Sequence, residues 1–429
     1  MAANVLPRLL AGRLPFFYGW VILFCLCCVG FARQGPAVAS LSIFVEPLAR
    51  EFGWSRTAIS GAVSLGGLLA ALSSPLIGPL LDRHGSRFIL CAVVLVNGAL
   101  LISLSWTNSL IAFYVLFCLA RMNWAGPFDL GIYGAVSNWF VARRAFAISA
   151  ATLAQMMGLV AMPLIAELAI ARDGWRAGWL AIGIVTLAVG FVPSWLLLVR
   201  RPEDLGLEPD HAPPPVLGDG LPIAAPEPSY SRRRAMRTAS FWLLLLYTIL
   251  VYPAQAGISL HQAPHMIERG IAPTIAATVV GTFSLMSGLC TIVCGVLPRR
   301  LPIRYPLAAI AAFLAASALV MLAIRTPAEA FLGAGLFGFG VGGILTLLPL
   351  AWADYFGRAH YNAIRGIALS AQVLAQAVGP LLSGVLRDWT GNYDRPLECF
   401  AVLSALGIVA ALAAKRPRPV DSPSAPHRS

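Results

Sequence analysis

Twelve long apolar runs limit this chain more than any other feature. They lie at roughly 17–44, 58–81, 88–106, 110–136, 146–170 and 178–198 in the first half. In the second half they lie at roughly 240–261, 274–297, 304–324, 328–351, 363–386 and 397–414. A helix that crosses a bilayer needs about 20 apolar residues. Inside lipid every backbone polar group must find its partner within the segment, so such runs predict transmembrane helices. Composition agrees: 58% of the 429 residues are apolar and 12% charged, against about 45–50% and 25% in soluble domains. A soluble fold of this length has no place to hide that much apolar surface. A soluble enzyme, a disordered chain and a secreted disulfide scaffold are excluded. The expected fold is an all-α membrane protein of twelve transmembrane helices.

Charge sets the expected orientation. The net charge is +12, and basic residues concentrate on the cytoplasmic side of membrane proteins. With both termini in the cytoplasm and twelve alternating helices, the inside segments, Arg358 and Arg365 among them, carry the whole excess. The other loops balance, and so does the membrane interior with Arg33, Arg121, Asp129 and Glu167. A nucleic-acid partner is therefore not expected; the partner of the surface is the lipid bilayer. The first run is too long for the apolar core of a cleaved signal. Cys25, Cys27, Cys28, Cys91, Cys118, Cys290 and Cys294 lie inside apolar runs and Cys399 opens one; they read as small buried hydrophobes. No metal and no cofactor is expected.

The chain also repeats itself. Pro47–Gly53 matches Pro264–Gly270, and Ala147–Gly158 matches Ala368–Gly379 at a similar offset, about half the chain. Trp20 and Trp242 fit the same spacing. Such an offset implies two related six-helix bundles in parallel orientation. The expected divisions are 1–198 and 239–414 for the bundles, a Pro-rich cytoplasmic linker at 199–238, mobile and unable to fold by itself, and a cytoplasmic tail at 415–429.

After the second run comes Gly78-Pro-Leu-Leu-Asp82-Arg83-His-Gly85-Ser-Arg87. It resembles the G-x-x-x-D-R-x-G-x-R signature of the major facilitator superfamily. Glycine permits a tight turn and close packing. Asp82 can sit against a helix N-terminus of the other bundle and tie Arg83 or Arg87. Gly78, Asp82, Arg83, Gly85 and Arg87 are thus expected to clasp the cytoplasmic side shut. The equivalent second-half loop, Gly295-Val-Leu-Pro-Arg299-Arg300, lacks the acid. Phe17–Trp20, Glu46-Pro47-Leu48, Phe52–Arg56, Trp139-Phe140, Arg143-Arg144, Gly174-Trp175-Arg176 and Arg201–Asp210 resemble the bacterial monocarboxylate-transporter-like and oxalate/formate-antiporter-like branch.

That resemblance implies a secondary transporter of carboxylates, often with a proton, in a bacterial inner membrane. Relatives carry an arginine in helix 8 to hold the anion; here Ser284–Cys290 has no charge. Arg33, with Gln34 and the helix-breaking Gly35-Pro36 behind it, is expected to take that role. At the repeat-related position lies Gln255, with Tyr252, Pro253 and Gly257 nearby. Two kinked helices facing each other are expected there. The expected substrate site is Arg33, Gln34, Arg121, Gln155, Tyr252, Gln255 and Gln376. Asp129 is the proton site if transport is symport, or a structural partner of Arg33 or Arg121. No nucleophile–base pair or ATP-binding loop occurs, so gradients drive a monomer that is not an enzyme. Two other readings stand: an exporter of amphipathic compounds, and a sensor that does not transport.

Overall fold

The computed structural model describes residues 5–211, 229–296 and 301–417. Arg299 and Arg300, residues 212–228 of the expected linker and the tail beyond 417 lie outside them. The first half holds α1 (Val5–Arg13), α2 (Gly19–Ala32), α3 (Val38–Phe52), α4 (Arg56–His84), α5 (Ser86–Leu104), α6 (Leu110–Ala125), α7 (Pro127–Trp139), α8 (Arg144–Val185) and α9 (Val192–Leu197). After a short α10 (Arg232–Ala235), the second half holds α11 (Ala239–Glu268), α12 (Pro273–Val296), α13 (Arg304–Leu322), α14 (Pro327–Phe356), α15 (Tyr361–Thr390) and α16 (Asp394–Ala413). Among the described residues, ten helices are long and apolar enough to cross a membrane.

Local chemistry sets the ends of these helices. Ser55, Ser109 and Thr238 side chains each accept a backbone N–H of the first turn that follows. Thr326 and Glu329 satisfy each other's orphan donors in a capping box. Three breaks matter for function. Gly35-Pro36 separates α2 from α3, because proline disfavours helical geometry in the residue before it. Gly126-Pro127 separates α6 from α7, with Gly126 at φ −111° and ψ −92°. Gly174, at φ 81° and ψ 176°, breaks α8 in a conformation that a side chain disfavours. The apolar stretch Arg144–Leu197 has 54 residues, roughly 80 Å of helix, far more than one crossing of a hydrocarbon core about 30 Å thick. Gly174 divides it.

The interior is filled by large side chains such as Trp139, Trp179 and Trp352, while Leu72, Leu76, Ile111, Leu285 and Leu381 face outward. Such an exterior needs lipid around it. The two halves meet chiefly where α4 packs on α15 and α8 on α12. Their closest approaches lie at the basic end, which also holds the end of α16. A Cβ on Gly78 would lie 2.2 Å from the Asn362 carbonyl oxygen, and one on Gly366 would lie 2.6 Å from that of Ser74. Ser370 donates to the Ala71 carbonyl at 2.5 Å. At the opposite end, among the described residues, three ion pairs join elements of the same half. Glu51 pairs with Arg176 at 2.7 Å, Glu268 with Arg387 at 2.9 Å, and Arg269 with Asp394.

Two expectations change. α11 runs unbroken through Pro253, so of the two repeat-related crossings expected to face each other, only the first is interrupted at its proline. The flanks of the linker are also built. Pro202–Leu205 is a 3₁₀ turn. The Asp210 carboxylate accepts from Val141 and Ala142 N–H at 2.6 and 2.5 Å, just before α8. Glu203 reaches Arg358 of the second half at 2.7 Å, and Arg232 reaches the Pro75 carbonyl of the first at 3.2 Å. Charged side chains anchor the ends of a segment whose composition suggested free chain.

Candidate functional site

The site forms where α2 and α6 stop short. Ending at Ala32, α2 leaves Arg33 in a buried turn, 6% exposed. The break at Gly126-Pro127 puts Asp129 in the first turn of α7, where the exposed N–H groups of a helix start favour a carboxylate. Arg33 Nη1 donates to Asp129 Oδ1 at 3.1 Å and to Gln155 Oε1 at 2.5 Å.

A residue from the second half completes the cluster. Arg365, in the second turn of α15 and 4% exposed, places Nη1 2.5 Å from Asp129 Oδ2. Its guanidinium carbon lies 4.9 Å from the centre of the Tyr133 ring. The Tyr133 hydroxyl in turn meets Thr152 Oγ1 at 3.0 Å and accepts from Gln155 Nε2 at 3.2 Å. Asp129 is thus shared by two arginines from opposite halves, and Gln155 closes the ring.

Arg121 lies one layer away. It stacks on Trp124, 3.8 Å from guanidinium carbon to ring centre, and Arg33 approaches the same ring at 4.7 Å. Trp124 donates its indole N–H to Gln34 Oε1 at 3.0 Å. Arg33 Nε, Arg121 Nε and Arg121 Nη1 are shielded from solvent and have no hydrogen-bond partner among the described residues. Two guanidinium groups hold one carboxylate and a third stands on the Trp124 ring that Arg33 also approaches, so the cluster carries about two net positive charges and three unused donors. The expected balance of interior charge does not hold. Arg365, counted on sequence as a basic flank of a cytoplasmic loop, is buried in the core.

The remaining expected residues divide into two places. Gln376 Nε2 donates to Gln255 Oε1 at 3.2 Å; among the described residues, neither bonds to the charged cluster. This pair mirrors Arg33 and Gln155. Gly158 packs on the Phe31 carbonyl and Gly379 on that of Pro253 in the same relation, at the spacing of the internal repeat. Tyr252 is buried within electrostatic reach of Arg365 and Asp129.

The loop signature sits at the basic end. The Asp82 carboxylate accepts from Ala363 N–H at 2.8 Å, Asn362 N–H at 3.3 Å and Asn362 Nδ2 at 3.0 Å, at the start of α15. Gly78 lets α4 touch that start. Gly85, at φ 87°, makes room for Arg200, which donates to the main-chain carbonyls of Asp82 and Arg83 at 3.0 and 3.1 Å. Arg87 reaches the Trp195 carbonyl at 3.1 Å, and the side chain of Arg83 is exposed.

The sequence profile of the Major Facilitator Superfamily matches residues 22–332 and 258–429. The chain belongs to this superfamily. It is 26% identical over 395 residues to monocarboxylate transporter 11 of Mus musculus, covering 88% of this chain and 83% of that one. It is also 26% identical over 384 residues to the 2-nitroimidazole transporter of Escherichia coli K12, covering 85% and 88%. Among solved structures it resembles the superfamily transporter FucP in the outward conformation, with a TM-score of 0.70 at 13% identity over 92% of this chain and 99% of that one. The protein is therefore a multi-pass membrane transporter of this superfamily and not an enzyme.

The arginine cluster shows which signals the sequence carried unread. Trp124 lies three residues after Arg121 and Tyr133 four after Asp129, spacings that share a helix face. Tyr361 stands four residues before Arg365 in the same way, but the burial of Arg365 and Asn362 has no local sign, since it comes from the docking of α15 on α4 and α7.

Proposed function

We propose that the protein is a secondary transporter of a small organic anion, a carboxylate, working by alternating access. One observation carries this reading. A cluster of three arginines and one carboxylate, of which Arg33, Arg365 and Asp129 are buried, leaves positive charge unmatched. A buried charge is costly unless paired, and an anion supplies the missing partner. The unused donors on Arg33 and Arg121 are the natural first contacts, with Trp124 holding both guanidinium groups in place. Similarity to a monocarboxylate transporter over most of the chain supports the substrate class.

In this reading the chain crosses a bacterial inner membrane twelve times with both termini in the cytoplasm. Counting α2 with α3 as one crossing and dividing Arg144–Leu197 at Gly174 gives that number. The basic end is then cytoplasmic and closed, and the site is reached from outside. Asp129, at the centre of the cluster, is the group to take a proton if transport is symport. The protein acts as a monomer.

The test is uptake of labelled mono- and dicarboxylates into liposomes holding the purified protein, with and without a pH gradient. Wild type is expected to accumulate an anion, and Arg33→Gln to lose at least about 100-fold, the scale of one charged contact of 3 kcal/mol. Wild-type uptake by Arg33→Gln, or no anion uptake by wild type, overturns the reading. A second reading, export of planar amphipathic compounds, is favoured by the likeness to a 2-nitroimidazole transporter and by the half-buried indole of Trp124 in the site. Drug sensitivity of a deletion strain separates the two.

A further inference from the structure

Asp129 occupies an unusual place. It belongs to α7 of the first half, yet one of its oxygens lies 2.5 Å from Arg365 of α15 in the second. The other accepts from Arg33 at 3.1 Å. All three side chains are at least nine-tenths buried. This is a charged tie between the halves, below the layer of Arg121 and Trp124 and beside the closed basic end. It has the form of a bound carboxylate: one acid group gripped by two guanidinium groups, one from each half.

We infer that Arg365 is the second half's anion-binding residue, and that Asp129 is the occupant which the transported carboxylate displaces from it. This rests on the anion-transport reading above and adds the half of the site that the uncharged segment Ser284–Cys290 leaves unfilled. The logic is electrostatic. For the basic end to open, α15 must move away from α7, and the tie must break. Arg365 is too deeply buried to stay unpaired at that moment. Without an anion the tie persists and the halves stay closed. A substrate carboxylate that has passed Arg121 can take over Arg365 while Arg33 keeps its bond to Asp129 and Gln155. Arg365 then stays paired as the halves part. Opening thus follows binding, and the empty protein does not leak its gradient through this step.

The neighbours fit this role. Tyr133 and Tyr361 flank the Arg365 guanidinium at 4.9 and 6.0 Å from their ring centres. Aromatic faces hold a guanidinium without neutralising it, so its fork remains available when Asp129 is released. Gly134 packs on the Asn362 side chain, whose Oδ1 would lie 2.2 Å from an added Cβ. That close approach brings α15 near enough for Arg365 to reach Asp129.

The experiment uses formate as the probe, on the purified full-length protein in a chloride-free buffer. Asp129→Ala removes the resident carboxylate and leaves its place open. Formate is expected to raise the melting temperature of Asp129→Ala at a concentration at least about ten-fold lower than wild type needs. In Asp129→Ala with Arg365→Gln, the response is expected to fall back to the wild-type level, and with Arg365→Lys to recover in part. If Asp129→Ala does not fold, Asp129→Asn is measured in the same way and the same order is expected. Equal formate responses with and without Arg365 overturn the inference. Uptake keeps the two readings apart. If Arg33→Gln loses anion uptake and Arg365→Gln keeps it, the inference fails and the proposed function stands. If wild type moves no anion while formate still acts through Arg365, the anion site stands and the transport reading fails.

Discussion

The closed basic end hangs on Asp82, and the structure says by how much. Its carboxylate accepts three hydrogen bonds from Asn362 and Ala363 at 2.8 to 3.3 Å, all at the first turn of α15. Asp82→Asn keeps the shape and removes the charge. The loss has two parts. A carboxylate at a helix start is worth about 0.3–1 kcal/mol, and up to about 2 when partly buried. Hydrogen bonds to a charged group are worth about 1.5–3 kcal/mol against about 1 for a neutral one. Allowing for overlap between these terms, the closed form should lose about 2–3 kcal/mol relative to the open one. That is roughly 30- to 150-fold in the equilibrium between them. Spin labels at His84 and Tyr305, both exposed, read the separation of the halves at this end. Wild type should give a short distance, and Asp82→Asn a second, longer population. Gly78→Ala tests the same contact by sterics: its Cβ would meet the Asn362 carbonyl at 2.2 Å, so it should also favour the longer distance. Unchanged distance distributions in both variants would refute the claim that this contact holds the end shut.

Further outcomes follow from other contacts. Trp124→Leu removes a ring that two guanidinium groups share and the indole N–H bound to Gln34; a cation–π contact is worth about 0.5–2 kcal/mol, so half-saturation for the transported anion should rise about 3- to 30-fold, and an unchanged value contradicts the stack's role. Gly174→Ala should lower thermal stability by about 1–2 kcal/mol, because its φ of 81° disfavours a side chain; an unchanged melting temperature would show that the break relaxes freely. At the opposite end, the Trp175 indole N–H, then Arg176, hold the Glu51 carboxyl below the usual glutamate value. A depressed folded value gives stability that is present above the unfolded value and is lost as pH falls through the folded one. Wild type should therefore melt above Glu51→Gln at pH 6, by less than about 1 kcal/mol for so exposed a pair. The gap should close as the solution is taken well below the usual glutamate range of about 4.3. A gap that persists undiminished at pH 3 refutes the assignment.

Much of the architecture was readable because lipid leaves few choices. The long apolar runs, the Gly35-Pro36 break and the contact of Asp82 with a helix start in the other half all follow from local rules about backbone bonding and dipoles. The site was only half readable. Arg33, Asp129 and Gln155 stand out as polar groups in apolar runs. Arg365 follows His360, Tyr361 and Asn362 at a run's edge, where arginine is ordinary, and its burial depends on how two bundles dock. Gln255 and Gln376 stand at the repeat spacing from Arg33 and Gln155, but repeat symmetry preserves geometry and not charge. The second half keeps the pair as neutral amides. The unbroken α11 has a similar cause: Pro253 lacks the glycine that precedes Pro36, and a helix tolerates an isolated proline when its neighbours satisfy the freed carbonyl.

A cluster of three guanidinium groups and one carboxylate also has an electrical signature. A monoanion leaves the loaded centre with one positive charge, and a dianion leaves it with none. A charge that traverses the whole membrane field is worked on by about 2.3 kcal/mol per 100 mV, and a rocking centre traverses a fraction of it. Voltage therefore speeds or slows the return of a carrier loaded with a monoanion and is indifferent to one loaded with a dianion. The valence of the cargo is written into the current that the carrier draws.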